Sequence, residues 1–270
     1  MAGSLGAKIG EGVFADVHAW APGQVVKLFK AGAAQRSGRW EARMTRAIFA
    51  AGGPAPEVLG EVTIEGRFGI VLPRLDGPTL VQITRSGALS PQAAGAILAG
   101  LAIAVHATPP PAEVPSLYDY MYGSLRGSGE AVPERLHAGV LALIARLPPG
   151  EGLCHLDLHS GNVIVTDARP QLIDWLGAVR GPAALDLAVC QVLHCEIAAE
   201  TVDDPQRPLA VNAALQAEYA LLAGAAPAAL AAAMAPYLPI VRVLVLLGGG
   251  APTLRARLIA RVEADLRGEG

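Results

Sequence analysis

The stretch Cys154-His155-Leu156-Asp157-Leu158-His159-Ser160-Gly161-Asn162-Val163-Ile164-Val165, followed by Leu172-Ile173-Asp174-Trp175, constrains the fold of this chain more than any other. Asp157 and Asn162 stand five residues apart, and Asp174 follows twelve residues after Asn162. An apolar run, Val163-Ile164-Val165, and a turn-forming segment, Asp167-Ala168-Arg169-Pro170, lie between them. That order predicts a short hairpin that folds Asn162 and Asp174 back beside each other. Any fold that accepts it must bring an acid, an amide and a second acid to one place. An amide and a carboxylate are hard oxygen ligands, incomplete without phosphate and water oxygens, of the kind Mg²⁺ uses when a nucleotide carries it. Asp157 is then left free to accept a hydroxyl proton. Without further support the three could equally be polar loop residues capping turns.

Residues 1–75 read as short strands plus one helix, because Gly and Pro punctuate runs rich in Val, Ile and Phe. Val25-Val26-Lys27-Leu28-Phe29 is expected as a strand after the turn Ala21-Pro22-Gly23. Val62-Thr63-Ile64 and Phe68-Gly69-Ile70-Val71-Leu72 are expected as two more, joined at Glu65-Gly66-Arg67. A link between two units is expected at residues 73–78, where Pro73, Gly77 and Pro78 cluster. Beyond it the chain reads as mostly helical, and Ser90-Pro91 supplies a cap and a first-turn proline for a helix to about His106. With 52% hydrophobic residues but only 4% aromatic, the core must be built from Ala, Leu and Val.

Several classes of function are disfavoured at once. A formal net charge of −3, with no basic arm or stripe of the kind nucleic-acid binding needs, makes nucleic acid a disfavoured partner. Three cysteines, Cys154, Cys190 and Cys195, make no disulfide framework and suit a reducing compartment. His194 beside Cys195 lacks a second ligand pair at zinc spacing, so these read as small buried thiols on a helix. Met1-Ala2-Gly3-Ser4-Leu5-Gly6 has no secretory pattern, so a cytoplasmic location is expected. The uncharged run between Glu218 and Arg242 is interrupted by Gly224, Pro227, Pro236 and Pro239, which predicts buried helices and no membrane span.

The N-terminal residues offer the other half of a cleft. Gly10-Glu11-Gly12-Val13-Phe14-Ala15-Asp16-Val17 lies between two expected strands, and its glycines allow phosphate to approach the backbone. Strand alternation puts Val25 and Lys27 on one face, so an apolar side chain can cover a purine while the ammonium reaches its phosphates. In the helix expected over residues 36–51, Glu41, Met44 and Ile48 share one sector and Arg36, Arg39, Arg43 and Arg46 the opposite one. An inward acid needs a partner, which predicts a Lys27–Glu41 ion pair and a solvated arginine stripe.

His155-x-Asp157, Asn162, Ile173-Asp174-Trp175 and the later Gly181-Pro182-Ala183-Ala184-Leu185-Asp186-Leu187-Ala188 resemble the signature of the aminoglycoside phosphotransferase family within the protein-kinase-like fold. The resemblance spans about residues 8–190; the rest matches only in being helical. It implies an α+β, bilobal protein-kinase-like fold. Residues 1–75 would form a small antiparallel-sheet N-lobe with one helix that binds nucleotide, and residues 76–270 a larger, mainly helical C-lobe for catalysis and substrate. It implies ATP-dependent transfer of the γ-phosphoryl group to a small-molecule hydroxyl, with Asp157 as base and Asn162 and Asp174 on Mg²⁺. Gly10, Gly12, Val17, Val25, Lys27 and Glu41 would serve the nucleotide. The Pro73 carbonyl and Leu75 N–H would meet adenine, and proline suits a position that only accepts. His155 and Asp186 would support the catalytic loop and Trp175 would pack; His159 could touch substrate or be structural. His18, His106, His137 and His194 have no evident constellation around them.

Two departures stand out: Ala15 replaces a usual third glycine, and Asp16 adds negative charge where phosphate is expected, predicting a weak grip. Trp175-Leu176 in place of Phe-Gly, and the short segment between Asp174 and Asp186, disfavour a protein substrate. Aminoglycosides and other antibiotics, sugars, choline and homoserine stay open as acceptors. Glu196, Glu200, Asp203, Asp204 and Glu218 are expected as a solvated acidic surface that a polycation could use. A nucleotide-binding scaffold without turnover is the rival reading.

Overall fold

The computed structural model describes residues 4–32, 34–147, 150–198 and 201–268. Five antiparallel strands form the first sheet: β1 (Lys8–Glu11), β2 (Ala15–Ala19), β3 (Gln24–Phe29), β4 (Gly60–Ile64) and β5 (Arg67–Pro73), in the order β1-β2-β3-β5-β4. The hairpin expected between β4 and β5 turns through Glu65 (φ 50°) and Gly66 (φ 76°). Two successive positive φ values match the twist of the paired strands, and glycine takes the second without strain. Helix α1 (Ala34–Ala50) crosses the sheet with Glu41, Met44 and Ile48 buried and its four arginines exposed, as the helical period predicts. Gly38 makes the close approach possible, since a Cβ there would meet the Phe29 ring at 2.5 Å.

The second part is helical: α2 (Leu80–Arg85), α3 (Pro91–His106), α4 (Leu117–Arg126), α5 (Glu134–Arg146), α6 (Ala183–Gln191), α7 (Gln206–Leu222), α8 (Pro227–Met234), α9 (Leu238–Leu247) and α10 (Pro252–Arg267). Ser90 caps α3 by accepting from the Ala93 N–H at 3.1 Å. Packing of α3 on α7 depends on Gly95, where a Cβ would lie 2.5 Å from that of Ala214. A π-helical turn, Val192–Ala198, continues α6. Between α5 and α6 run two small ladders, β6 (Gly152–Cys154) with β9 (Val179–Gly181), and β7 (Val163–Val165) with β8 (Pro170–Leu172).

The run Pro227–Leu247 is long and apolar enough to cross a bilayer, with a mean hydropathy of 2.0. It is nevertheless broken into α8, a 3₁₀ turn at Ala235–Tyr237 and α9, and Leu230, Met234, Ile240, Val241 and Leu246 enter the core. Pro236 and Pro239 sit at the break, where their missing N–H groups cost nothing.

The sheet and the helices meet in two places that position the site. Met44 and Ile48 of α1 join the core of the helical part. The link after β5 lies on the β7–β8 hairpin: Pro78 O accepts from Val165 N at 2.9 Å, and Thr79 pairs with Ile164. Gly77 allows this, because a Cβ there would fall 2.0 Å from Val165 O.

Candidate active site

Strand β6 delivers the chain to His155, and Leu156 then takes a left-handed conformation at φ 61°. Such a residue is strained by about 1–3 kcal/mol and persists only when its surroundings hold it. Asp186, fully buried in the first turn of α6, does the holding. Its two carboxylate oxygens accept from His155 N and Leu156 N, each at 2.8 Å. His106, at the end of α3, adds a contact from Nε2 at 3.3 Å, and its Nδ1 lies 2.8 Å from the Tyr219 hydroxyl. Burial opposes the Asp186 charge, but His106 and the His155 N–H hold its pKa below the usual carboxylate value. His106 therefore has a constellation that sequence reasoning missed.

His155 is buried against Trp175, with ring centroids 4.5 Å apart. Its Nδ1 accepts from Asp157 N at 3.2 Å, which leaves Nε2–H to donate to Ile173 O at 3.1 Å. Burial lowers its pKa, despite the acids around it, so the ring is a neutral spacer between loop and hairpin. The Asn162 carbonyl accepts from Ile173 N at 2.9 Å and closes the hairpin expected from the sequence.

The Asp157 carboxylate is gripped from both sides. Asn162 Nδ2 donates to its Oδ2 at 2.7 Å and to its main-chain oxygen at 2.9 Å. His159 Nδ1 accepts from Gly161 N at 3.0 Å, capping the turn Ser160–Asn162, and this aims Nε2–H at Asp157 Oδ1, 3.5 Å away. Burial raises the Asp157 pKa, but the His159 contact and Asn162 more than offset it, so the group stays ionised at neutral pH. Asp174, also left-handed at φ 69°, lies opposite with Oδ2 3.2 Å from Lys27 Nζ.

Lys27 reaches this point from β3. Its ammonium donates to both Glu41 oxygens, at 2.7 and 2.8 Å, so the expected ion pair forms. Burial pulls Lys27 down, yet Glu41 and Asp174 hold it above the ordinary lysine value. Burial pushes Glu41 up to about 7 against the pull of Lys27, and Asp174 adds to the rise. Val17 pairs with Lys27 in register, and Val25 lies on the same face two residues earlier. Gly10 ends up inside β1 and Gly12 in the turn that follows, whose carbonyl is held by Lys30 Nζ at 2.9 Å. Pro73 closes β5 opposite Gln24, and Leu75 follows in the link.

Two charge expectations need correction. Asp16 does not face the Lys27 side of the sheet: alternation turns it to the other face, where Lys8 (2.9 Å) and Arg67 (3.0 Å) neutralise it. Its side chain therefore gives no reason for a weak phosphate grip. Glu196 is not solvated either, since Arg242 (2.8 Å) and Arg261 (2.6 Å) bind it. Glu200 lies outside the described residues. His194 is buried, held by Cys190 O (2.9 Å) and Ser160 Oγ (3.3 Å), and burial lowers its pKa to about 4, so it props the loop from behind.

A cavity of about 520 Å³ opens beside Asp157 and Asp174, walled by Trp40 from α1, Tyr120 from α4, Leu176, and Leu244 and Leu247 from α9. A second, of about 530 Å³, lies farther along the same loop between His159, Thr84, Ile197 and Asp203.

Comparison with solved structures finds the same fold. A choline/ethanolamine kinase family protein from Mesorhizobium loti superposes with a TM-score of 0.59 at 17% identity, covering 97% of this chain and 87% of that one. An ADP-bound aminoglycoside phosphotransferase gives 0.58 at 14%, covering 97% and 92%. An aminoglycoside 3'-phosphotransferase of type VIII gives 0.58 at 20%, covering 88% and 94%. No curated protein matches the chain in sequence. The sequence profile of the phosphotransferase enzyme family matches residues 17–232, most of the chain, and with the kinase-like fold it settles the relationship: the protein belongs to the phosphotransferase enzyme family.

Proposed function

We propose that the protein transfers the γ-phosphoryl group of ATP to a hydroxyl of a small molecule, using Mg²⁺. The observation that carries this reading is that Asp174 meets the Lys27–Glu41 pair while Asp157 and Asn162 are bonded to each other on the loop its hairpin closes, with Asp157 and Asp174 lining one cavity. Asn162 spends its amide hydrogens on Asp157, so its Oδ1 is left to act as a ligand. With the carboxylate of Asp174 it makes a hard-oxygen pair that fits Mg²⁺. When bound, the metal neutralises charge developing on the transferred phosphoryl oxygens. Lys27, steadied by Glu41, offers its ammonium to phosphate oxygens, while Gly10 and Gly12 border them. Val17 and Val25 cover the base, and the Pro73 carbonyl and Leu75 N–H meet its edge. Asp157, ionised and clamped, aligns the acceptor hydroxyl and takes its proton; His155 and Asp186 keep it in place.

The acceptor is a small molecule, with aminoglycosides, other antibiotics, choline, homoserine and sugars as the set to test. Similar structures include phosphotransferases in complex with streptomycin or gentamicin and a choline/ethanolamine kinase family protein. ATP supply and three free thiols suit the cytoplasm, and the net charge of −3 suits neither nucleic acid nor an anionic membrane. The rival, a nucleotide-binding scaffold, loses one of its two motives now that Asp16 is neutralised on the far face. Melting with Mg-ATP or Mg-GTP, followed by ADP release over a panel of hydroxyl compounds, tests the proposal. Asp157→Ala should cut turnover by about 10²–10⁴-fold with Mg-ATP affinity retained. Unchanged melting with either nucleotide refutes both readings; nucleotide binding without transfer to any acceptor favours the scaffold.

A further inference from the structure

We infer that the acceptor is a neutral alcohol with an apolar body large enough to fill the cavity beside Asp157, and not a polyammonium compound. The inference rests on the phosphotransferase reading and concerns only what that cavity admits. Its volume, about 520 Å³, lies in the range that holds drug-sized ligands. Its walls are mostly apolar: Trp40, Tyr120, Leu176, Leu244 and Leu247 face one space, with Ser37 and Ser124 as polar points. The only carboxylates among the residues lining it are Asp157 and Asp174, and both belong to the transfer chemistry.

A polyammonium ligand has to exchange water for carboxylates at each charge, because burying an unpaired cation is costly. Among the described residues, two acids of the helical part are held by arginines and two more lie at the other cavity. Glu196 is bound by Arg242 and Arg261, and Asp265 by Arg242. Asp203 and Asp204 line the other cavity. The remaining charge at the wall is the Arg36 cation, exposed at the start of α1, which repels further positive charge. A choline-sized cation is disfavoured because it would leave most of the space empty. Tyr120 stays a neutral phenol, since burial and the Asp157 charge both raise its pKa, so it can donate to a ligand hydroxyl or ether.

In the transfer, the acceptor oxygen forms a bond to the γ-phosphorus as the bond to the β–γ bridging oxygen breaks. ADP leaves with that electron pair, and the hydroxyl proton passes to Asp157. The test is calorimetric titration of the protein loaded with Mg²⁺ and a non-hydrolysable ATP analogue, using neutral macrocyclic and aryl alcohols, kanamycin and choline. ADP release with ATP is measured in parallel. At least one neutral alcohol should bind or turn over at least 100-fold better than kanamycin or choline. Leu247→Glu and Ser124→Phe, one charging and one filling the cavity, should each weaken it tenfold or more. Val81→Ala, in the other cavity, should not, and melting temperatures confirm that each variant is folded. Neutral alcohols that bind without transfer uphold the cavity assignment while refuting turnover. Preference for kanamycin or choline, or no binding by any neutral alcohol, overturns the inference and leaves the phosphotransferase reading standing.

Discussion

Replacing Asp186 tests how the loop that carries Asp157 is held. The carboxylate accepts from two successive main-chain N–H groups, His155 and Leu156, both at 2.8 Å and both buried. In Asp186→Ala each donor is stranded, at about 1–3 kcal/mol apiece. Release of a buried charge offsets part of this, so we expect a net loss near 3–4 kcal/mol, a large share of the ~5–15 kcal/mol typical of a domain. Asp186→Asn is the sharper probe, because an amide offers one acceptor and one donor where two acceptors are needed. It should keep one bond, turn the other into donor against donor, and lose about 2–3 kcal/mol. Urea denaturation with an unchanged m-value reads the stability. Turnover reads position: a loop displaced by about 1 Å should cost on the order of 100-fold in kcat. The folded pKa of Asp186 is depressed, so its stabilisation is present above the unfolded value of about 3.9 and is lost as pH falls through the folded one. The gap between wild type and Asp186→Asn should close in that acid range. An Asn variant as stable and active as wild type, or less stable than the Ala variant, refutes the reasoning.

Lys27→Met leaves the buried Glu41 carboxylate without its partner, and should lose about 3–5 kcal/mol together with turnover. Adding Glu41→Gln should restore at least half of the stability and none of the turnover; equal instability of the single and double variants would argue against the pair. His194 has its pKa lowered to about 4, so its contribution is present above the unfolded value of 6.5 and is lost as pH falls from there to 4. That amounts to roughly 3 kcal/mol, and His194→Gln should flatten the stability profile over that window; an unchanged slope would refute the assignment. Gly77→Ala forces a Cβ to 2.0 Å from Val165 O and should cost about 2–3 kcal/mol, whereas Gly123→Ala, with nothing within 4 Å in α4, should gain about 0.5–1 kcal/mol. Denaturation of the two variants side by side checks the contrast.

What the sequence by itself determined was local and periodic. The order of Asp157, Asn162 and Asp174 around an apolar run dictated a hairpin, Glu65-Gly66 a tight turn, Ser90-Pro91 a helix start, and the period of α1 an inward Glu41. Each follows from backbone sterics and the spacing of side chains along one element. Asp16 was misjudged for want of the same alternation that correctly paired Val25 with Lys27. Only the tertiary structure could bring His106 and Tyr219, 113 positions apart, to the anchor at Asp186. It alone spent Glu196 on two arginines and built the cavity beside Asp157 from α1, α4 and α9. The physical reason is that a side chain's charge and exposure depend on which distant element packs against it. Transfer chemistry was legible because it needs a few groups on one loop and hairpin; acceptor choice was not, because its walls come from parts of the chain that meet only when folded.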